Sequence, residues 1–239
     1  MKQLLAKVWP YPISYLDNKH YDKLLINTIN THSFNLTLED PEFREALLKS
    51  DVLLPDGVGI LMALRVLNKI KRNKIAGYDL LIYELEWLNK SGGKCFFLGS
   101  SENVLKLIKD RIENEYPDII SSYYSPPFRE DFTEEENNIM IKAVNSFSPD
   151  VLFVGMTAPK QEKWAARHFG DLSVRHICSI GAAFEFFAKT KKRSPKWLIK
   201  IWLEWFYRLI KEPVRLWRRY IIGIFKFLYL LFKEKIRRD

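Results

Sequence analysis

The sequence of 239 residues has little cysteine and no apolar run long enough to cross a bilayer. Its two cysteines, Cys95 and Cys178, each lie within an apolar segment, which excludes a disulfide-framed secreted module and a zinc site built on thiolates. The first residues contain no apolar stretch of signal-peptide length, so we expect a cytoplasmic protein. The C-terminal run IIGIFKFLYLLF has twelve residues with Lys226 inside it, whereas a spanning helix needs about 20 apolar residues.

Several motifs that would indicate a nucleotide or metal site are also absent. The sequence has no phosphate-binding loop of the Walker A type and no G-x-G-x-x-G fingerprint. It has no Asp-x-Asp pair, through which many nucleotide-sugar enzymes hold a divalent ion, and its four histidines show no ligand spacing. We therefore predict no metal site and no cofactor, and a bound diphosphate would need basic side chains as counter-charges.

What the sequence does have is a strongly basic and aromatic C-terminal segment. Residues 189–239 hold 16 Lys and Arg and 4 Asp and Glu, a net charge of +12, whereas residues 1–188 hold 22 basic and 25 acidic side chains, a net charge of −3. The segment also contains four of the seven tryptophans, namely Trp197, Trp202, Trp205 and Trp217. Basic and aromatic residues together are typical of nucleic-acid binding or of a membrane surface.

The spacing in this segment favours the membrane. Apolar residues from Trp197 to Leu209 recur at helical spacing and form one broad stripe, and Pro195 and Pro213 suit two helix starts. Rings that stack on bases would be better distributed among the cations. We therefore predict that residues 195–239 (the tail) form an amphipathic helical appendage on an anionic membrane surface. The alternative is that this helix packs on the rest of the chain as an ordinary core helix.

Residues 1–194 (the body) alternate apolar strands with helical patterns. The clearest predicted strands cover 24–30, 51–57, 94–100, 149–156 and the run that ends at Gly181. This alternation predicts an α/β domain with a mostly parallel, Rossmann-like sheet that helices cover on both faces. In such sheets ligands bind beyond the carboxyl ends of the strands.

Asp56 is the most prominent polar residue at a predicted strand end. It lies in LLPDGVG, directly after an apolar run, so its carboxylate would be partly desolvated where a ligand would lie. Such a group can act as a general base. The alternative is a plain turn aspartate, since Pro-Asp-Gly is a favoured turn sequence.

Other predicted strand ends carry polar residues or glycines. Thr28 and Asn30 close the first apolar run, where they either hydrogen-bond a ligand hydroxyl or only terminate the strand. Gly99 and Gly155 end two further strands. Gln161 lies one turn into a helix whose N-terminus would face the strand ends and favour phosphate, and its alternative is a place on a solvated helix face.

Five separated segments resemble the WecG/TagA/CpsF family of bacterial glycosyltransferases. They are LPDGVGI, GYDL, VGMTAPKQEKW, GAAFEFFAKTKKRSPKW and LEWFYRLIKEPVRLWRRY, and the match runs in order from about Asn27 to Tyr220. The resemblance implies a peripheral enzyme at the cytoplasmic face of the bacterial membrane. It would transfer a sugar, N-acetylmannosamine or a related hexose, from a UDP-sugar to a polyprenyl-diphosphate-linked sugar, with inversion, in surface polysaccharide or teichoic acid synthesis.

The resemblance also implies roles for single residues. Asp56 would be the catalytic base on the acceptor hydroxyl, and Thr28 would assist it. Substrate-binding roles are implied for Asn30, Lys74, Gly77, Asp79, Gly99, Gly155, Gln161, Arg208, Arg215 and Arg218. The three arginines match tail arginines that bind diphosphate. Lys74 stands where the family often has Arg, which keeps the charge but loses the bidentate fork.

Two other functions stay open at the level of sequence. A membrane-surface adaptor without enzymatic activity would bind a nucleotide through the body, and a nucleic-acid-binding protein would use the basic tail. The sequence also leaves open the donor sugar, the acceptor, the pathway and the oligomeric state, a homo-oligomer included.

Overall fold

The computed structural model describes residues 1–17, 23–201 and 203–237, and its centre is a six-stranded sheet. The strands are β1 (Leu24–Ile29), β2 (Val52–Pro55), β3 (Lys94–Gly99), β4 (Ile120–Tyr124), β5 (Val151–Gly155) and β6 (His176–Ser179). They are ordered β2-β1-β6-β5-β3-β4, and every pair of neighbours is parallel. The predicted α/β class and parallel sheet are therefore confirmed.

Helices connect and cover the strands. In chain order they are α1 (Lys2–Lys7), α2 (Thr31–Leu36), α3 (Pro41–Leu48), α4 (Val58–Asn68), α5 (Gly77–Ser91), α6 (Glu102–Glu115), α7 (Glu134–Phe147), α8 (Lys160–Arg167), α9 (Ala183–Phe187), α10 (Lys196–Lys200), α11 (Glu204–Lys211), α12 (Pro213–Trp217) and α13 (Gly223–Ile236). A 3₁₀ turn, Ile13–Asp17, and a π-helical segment, Arg218–Ile222, complete the described elements.

Strands β2, β3 and β5 are nearly continuous apolar runs because helices bury both faces of the sheet. In β5, Val151 and Phe153 point into one core, which α5, α6 and α9 complete. Leu152 and Val154 point into the opposite core, which α7 and α8 complete. The alternation of side chains along a strand thus supplies two cores from one segment.

The carboxyl ends of β1, β2 and β6 lie next to one another at one edge of the sheet. Thr28 is paired with Leu54 in the β1–β2 register, and the backbone N–H of Asp56 donates to the Ile29 carbonyl at 2.8 Å. The residues that follow these strands, Asn30 and Asp56, are therefore held close together. This edge is where a parallel sheet places its ligand.

The tail contacts the body chiefly through its last helix. Phe227 and Leu231 of α13 are buried in one cluster with Phe34 of α2 and Ile60 of α4. The rings of Phe34 and Phe227 meet edge to face, with centroids 5.3 Å apart. Core packing, one of the two alternatives for the tail, thus applies to one side of α13, while none of the described residues of α11 is buried.

The prediction of one helix through the stripe from Trp197 to Leu209 is wrong. The α-helical hydrogen-bond pattern ends after α10, and a separate helix, α11, begins at Glu204. Between them the backbone N–H of Leu203 donates to the Leu198 carbonyl at 2.9 Å, five residues earlier in the chain instead of the four of an α-helix. The apolar periodicity predicts the apolar side of both helices but does not show that the stripe is divided between two helices. Pro213 does begin a helix, as predicted.

Candidate active site

A cavity of about 530 Å³ lies at the carboxyl ends of β1, β2 and β6, between the body and the tail. The body contributes Asn30, Asp56 and Ile180 after the three strands, and Gly77 at the start of α5. The side formed by the tail includes Glu204, Trp205, Arg208, Arg219, Tyr220 and Phe227. The strand ends of the body therefore form one side of the cavity. The basic and aromatic residues of the tail form the other side, which we call the roof.

Asp56 lies at the turn between β2 and α4, and its side chain is 26% exposed. Gly57 follows with a φ of 103°, a left-handed conformation that a residue with a side chain rarely adopts. Burial raises the pKa of the Asp56 carboxyl above its ordinary value, and the neighbouring Lys74 ammonium opposes part of that rise. A carboxylate in such a place accepts a proton more readily than one in water.

Lys74 lies between two carboxylates in the cavity. Its Nζ is 3.8 Å from Asp56 Oδ1, and it donates a hydrogen bond to Glu204 Oε2 from the tail. Burial acts to lower the pKa of Lys74, but the two carboxylates outweigh burial, so its pKa is raised. The Lys74 ammonium therefore keeps its charge and lies between Asp56, the candidate base, and Glu204 of the tail.

Asn30 and His32 place polar groups at the end of β1. Asn30 caps α2, and its Oδ1 accepts hydrogen bonds from the backbone N–H groups of His32 and Ser33, each at 3.0 Å. Burial and then the Arg219 guanidinium lower the pKa of His32 to about 4, against a smaller opposing effect of Glu39. His32 is thus a neutral imidazole at neutral pH, so it can donate and accept hydrogen bonds in the cavity.

The start of α5 forms another wall of the cavity. A Cβ atom at Gly77 would lie 3.0 Å from the Ile180 carbonyl oxygen, so only glycine lets α5 approach the end of β6 this closely. Asp79 accepts a hydrogen bond from the Ala76 backbone N–H at 3.0 Å and another from Arg193 Nη2 at 2.8 Å. Both Asp79 oxygens are occupied, and Asp79 fixes a guanidinium at the cavity wall.

Comparison with known proteins identifies the family. The profile of the glycosyl transferase WecG/TagA/CpsF family matches residues 13–239. The chain belongs to this family. It is 33% identical over 228 residues to an N-acetylglucosaminyldiphosphoundecaprenol N-acetyl-beta-D-mannosaminyltransferase of Bacillus subtilis strain 168, covering 93% of this chain and 86% of the relative.

Proteins with the same name in two other bacteria are also similar. The Bacillus spizizenii relative is 28% identical over 226 residues, which cover 93% of this chain and 85% of the relative. The Staphylococcus aureus strain MW2 relative is 27% identical over 225 residues, which cover 94% of this chain and 87% of the relative. The chain is therefore a glycosyltransferase, and the family confirms the enzyme over the adaptor interpretation.

The cavity of this glycosyltransferase brings together many of the predicted site residues. Those that line it are Asn30, Asp56, Lys74, Gly77, Asp79 and Arg208. Arg208 also lies over the Phe186 ring, 5.7 Å from its centroid. Arg218 is not among the lining residues, and its guanidinium lies over the Trp217 ring. Arg215 is in α12, and its side chain is outside the described part of the structure.

Three other predicted residues lie at strand ends without lining the cavity. Thr28 is partly buried on the β1 face that also carries Ile26, two positions before Asn30 of the cavity wall. Gly99 and Gly155 are paired in the β3–β5 register. A Cβ atom at Gly155 would lie 2.5 Å from the Phe184 ring, so in the described structure this glycine makes room for α9.

Gln161 does not line the cavity. The alternative prediction, that Gln161 lies on a solvated helix face, is also wrong. Gln161 and Glu162 are 4% and 2% exposed, because α8 packs flat on the sheet. Gln161 Nε2 donates to Glu162 Oε1 at 2.9 Å, and a Cβ atom at Gly181 would lie 3.1 Å from Gln161 Oε1. Gln161 thus lies beside the turn after β6 without lining the cavity.

Sequence reasoning missed four acidic, basic or histidine side chains of the cavity. They are His32, Arg193, Glu204 and Arg219. Arg193 and Arg219 are two of many basic residues in this part of the sequence, and Glu204 lies between the apolar residues of the stripe from Trp197 to Leu209, where a solvent-facing position is the ordinary expectation. Only His32, three residues beyond the end of β1, has a local signal in the sequence.

The described residues also bear on metals and membranes. No three His, Cys, Asp or Glu side chains among them converge as ligands of a metal ion would. Of the helices in the described ranges, none has the length and apolar character that a transmembrane span requires.

Proposed function

We propose that this glycosyltransferase moves N-acetylmannosamine from its UDP-sugar to N-acetylglucosaminyl-diphospho-undecaprenol. The name that these relatives share supports this donor sugar and acceptor. The same name specifies a β-linked product, and because UDP-sugars of this kind are α-linked, the transfer would invert the anomeric carbon. The observation that carries the proposal is a partly buried carboxylate, Asp56, in a cavity whose other walls carry four cations.

In the proposed reaction Asp56 is the general base. It takes the proton from the acceptor hydroxyl as that oxygen attacks the anomeric carbon of the donor. The new carbon–oxygen bond forms while the bond to the UDP oxygen breaks, and the bonding electrons leave with UDP. The proton stays on the Asp56 carboxyl until product release, so that charge and atoms balance.

The basic side chains of the cavity would stabilise the diphosphate that leaves. They are Lys74, Arg193, Arg208 and Arg219. Fixed cations aimed at a developing negative charge are often the largest catalytic contribution, and guanidinium groups match phosphate oxygens in pairs. Arg208 and Arg219 come from the tail, so the tail would complete the site. We keep residues 195–239 as a separate appendage in this proposal for that reason.

A lipid-linked acceptor requires a membrane surface, and we propose that the tail supplies the contact. Trp197, Phe206 and Ile210 in α10 and α11 are 62%, 46% and 62% exposed, and Phe225 and Tyr229 in α13 are 69% and 65% exposed. Exposed aromatic residues among cations are typical of proteins that lie on anionic lipid. The enzyme would then work peripherally on the cytoplasmic face.

Substitution of Asp56 tests the catalytic proposal. Asp56→Asn keeps the shape and removes the base, so we expect the rate of UDP release to fall by about 10²–10⁴-fold with donor and acceptor both present. Asp118→Asn, which changes an exposed loop residue, is the control. Wild-type turnover by the Asp56→Asn protein would leave Asp56 as a turn residue only.

The donor is tested separately with the unchanged protein. UDP-N-acetylmannosamine, UDP-N-acetylglucosamine and UDP-glucose are each offered with the lipid-diphosphate-N-acetylglucosamine acceptor, and product formation is followed by mass. We expect rapid transfer from the first alone. Faster transfer from another donor would replace the proposed sugar but keep the reaction.

A further inference from the structure

Glu204 is an acidic side chain that the basic tail points into the cavity. The segment 189–239 has 4 acidic residues against 16 basic ones, so an inward-facing glutamate is unexpected there. Its side chain is 15% exposed, and it accepts the hydrogen bond from Lys74 described above. The pair joins the first residue of α11 to a residue 130 positions earlier in the chain.

The backbone at Lys74 is held beside Asp56, the candidate base, while the Lys74 side chain can pair with either Asp56 or Glu204. The loop before α5 is tied to the end of β2, because the Ile75 backbone N–H donates to the Pro55 carbonyl at 3.0 Å. From there Lys74 Nζ is in direct contact with Glu204 and lies 3.8 Å from Asp56 Oδ1. The ammonium is thus within reach of both carboxylates and is closer to the one from the tail.

We propose that Glu204 is a positioning residue that couples the docked tail to the base: it holds the Lys74 ammonium away from Asp56 and leaves that carboxylate free to accept a proton. This inference rests on the proposed function, in which Asp56 is the base. Without Glu204, Lys74 would close on Asp56 and occupy it in a contact ion pair. A carboxylate held in that way is a weaker base.

The other charged groups around Asp56 give the expected pH dependence its sign. Lys74 and Arg208 lower the pKa of Asp56, whereas Glu204 and Asp79 raise it. Loss of the Glu204 charge removes one raising influence and brings Lys74 closer, so both changes lower the pKa of Asp56. Because the base works when deprotonated, the acidic limb of kcat/KM should move to lower pH while the plateau falls.

The first experiment compares pH profiles of the full-length chain. Glu204→Gln keeps the size of the side chain and removes its charge, and Glu234→Gln is the matched control, since Glu234 pairs with Arg237 at the far end of the tail. We expect Glu204→Gln to shift the acidic limb down and to lower the plateau by about 3- to 100-fold, the range for residues in direct contact. A lower plateau with an unmoved limb would overturn the coupling.

The second experiment asks whether Glu204 acts through Lys74. In a double-mutant cycle with Lys74→Gln, we expect the effect of Glu204→Gln to vanish, because there is no ammonium left to position. Effects that multiply independently would overturn the inference. Thermal unfolding of each variant shows that it is folded. Failure here together with an inactive Asp56→Asn protein would reject only the coupling, whereas an active Asp56→Asn protein would reject the proposed function itself.

Discussion

At the scale of single residues, Glu162 is a carboxyl group that folding takes almost completely out of water. Its Oε1 accepts a hydrogen bond from Gln161, while its Oε2 has no hydrogen-bond partner among the described residues. Burial raises the pKa of Glu162 from the ordinary 4.5 to about 7. Because the native pKa lies above the unfolded one, this group costs stability as the pH rises from about 4.5 to about 7, and above that the cost is constant.

The size of this cost leads to a prediction for Glu162→Gln. A shift of roughly 2.5 units corresponds to about 3 kcal/mol, and the variant keeps the hydrogen bond to Gln161 while removing the charge. We expect the variant to exceed the wild type in free energy of unfolding by up to about 3 kcal/mol at pH 8 and by little at pH 5. Urea titrations at both pH values measure this, with the exposed Glu45→Gln as control. An equal difference at both pH values would contradict the prediction.

Residues that follow a strand directly could be predicted from the sequence, and residues that arrive from elsewhere could not. Asp56 and Asn30 are placed by β2 and β1, whose apolar runs are visible in the sequence, so their meeting at the sheet edge follows from parallel pairing. Glu204 and Arg219 reach the same cavity only because α11 lies beside it and α13 packs on α2. That arrangement depends on tertiary contacts, which no local pattern encodes.

At the scale of elements, the body was easier to predict than the tail. A buried parallel strand needs a continuous apolar run, and β5 is such a run between two turn signals. The sequence does not predict helix α2, because it has only six residues and its N-cap, Asn30, immediately follows β1. In the tail, amphipathic periodicity continues from α10 into α11, so the pattern indicates the apolar side but not that two helices share it.

Helix α5 approaches the backbone at the end of β6 closely, and this contact leads to a prediction for Gly77→Ala. The added methyl group would meet the Ile180 backbone at 3.0–3.2 Å, and backbone atoms cannot turn aside. We expect a loss of about 1–3 kcal/mol in the free energy of unfolding, together with slower sugar transfer because α5 carries Asp79 and, through it, Arg193. Gly170→Ala, where no atom lies within 4 Å, is the control. Equal stability of the two variants would show that α5 can shift.

At the scale of the whole molecule, charge and apolar surface are divided between the two parts of the chain. The body through residue 188 has a net charge of −3, and the following segment has +12. On α13, Phe227 and Leu231 face the body, whereas Phe225, Tyr229 and Phe232 face solvent. One helix therefore closes the cavity with one side and offers aromatic rings with the other, which would bring a lipid-linked acceptor and the roof of the site to the same place.

This division predicts that membrane binding and folding can be separated. Replacing Phe225, Tyr229 and Phe232 together by serine removes 65–69% exposed rings and leaves the buried side of α13 intact. We expect affinity for vesicles containing anionic lipid to fall by at least about tenfold, with an unchanged thermal midpoint. Serine at Leu107 and Ile139, two exposed apolar residues of the body, is the control. Unaltered vesicle binding by the triple variant, measured by co-sedimentation, would mean that α13 does not face the lipid.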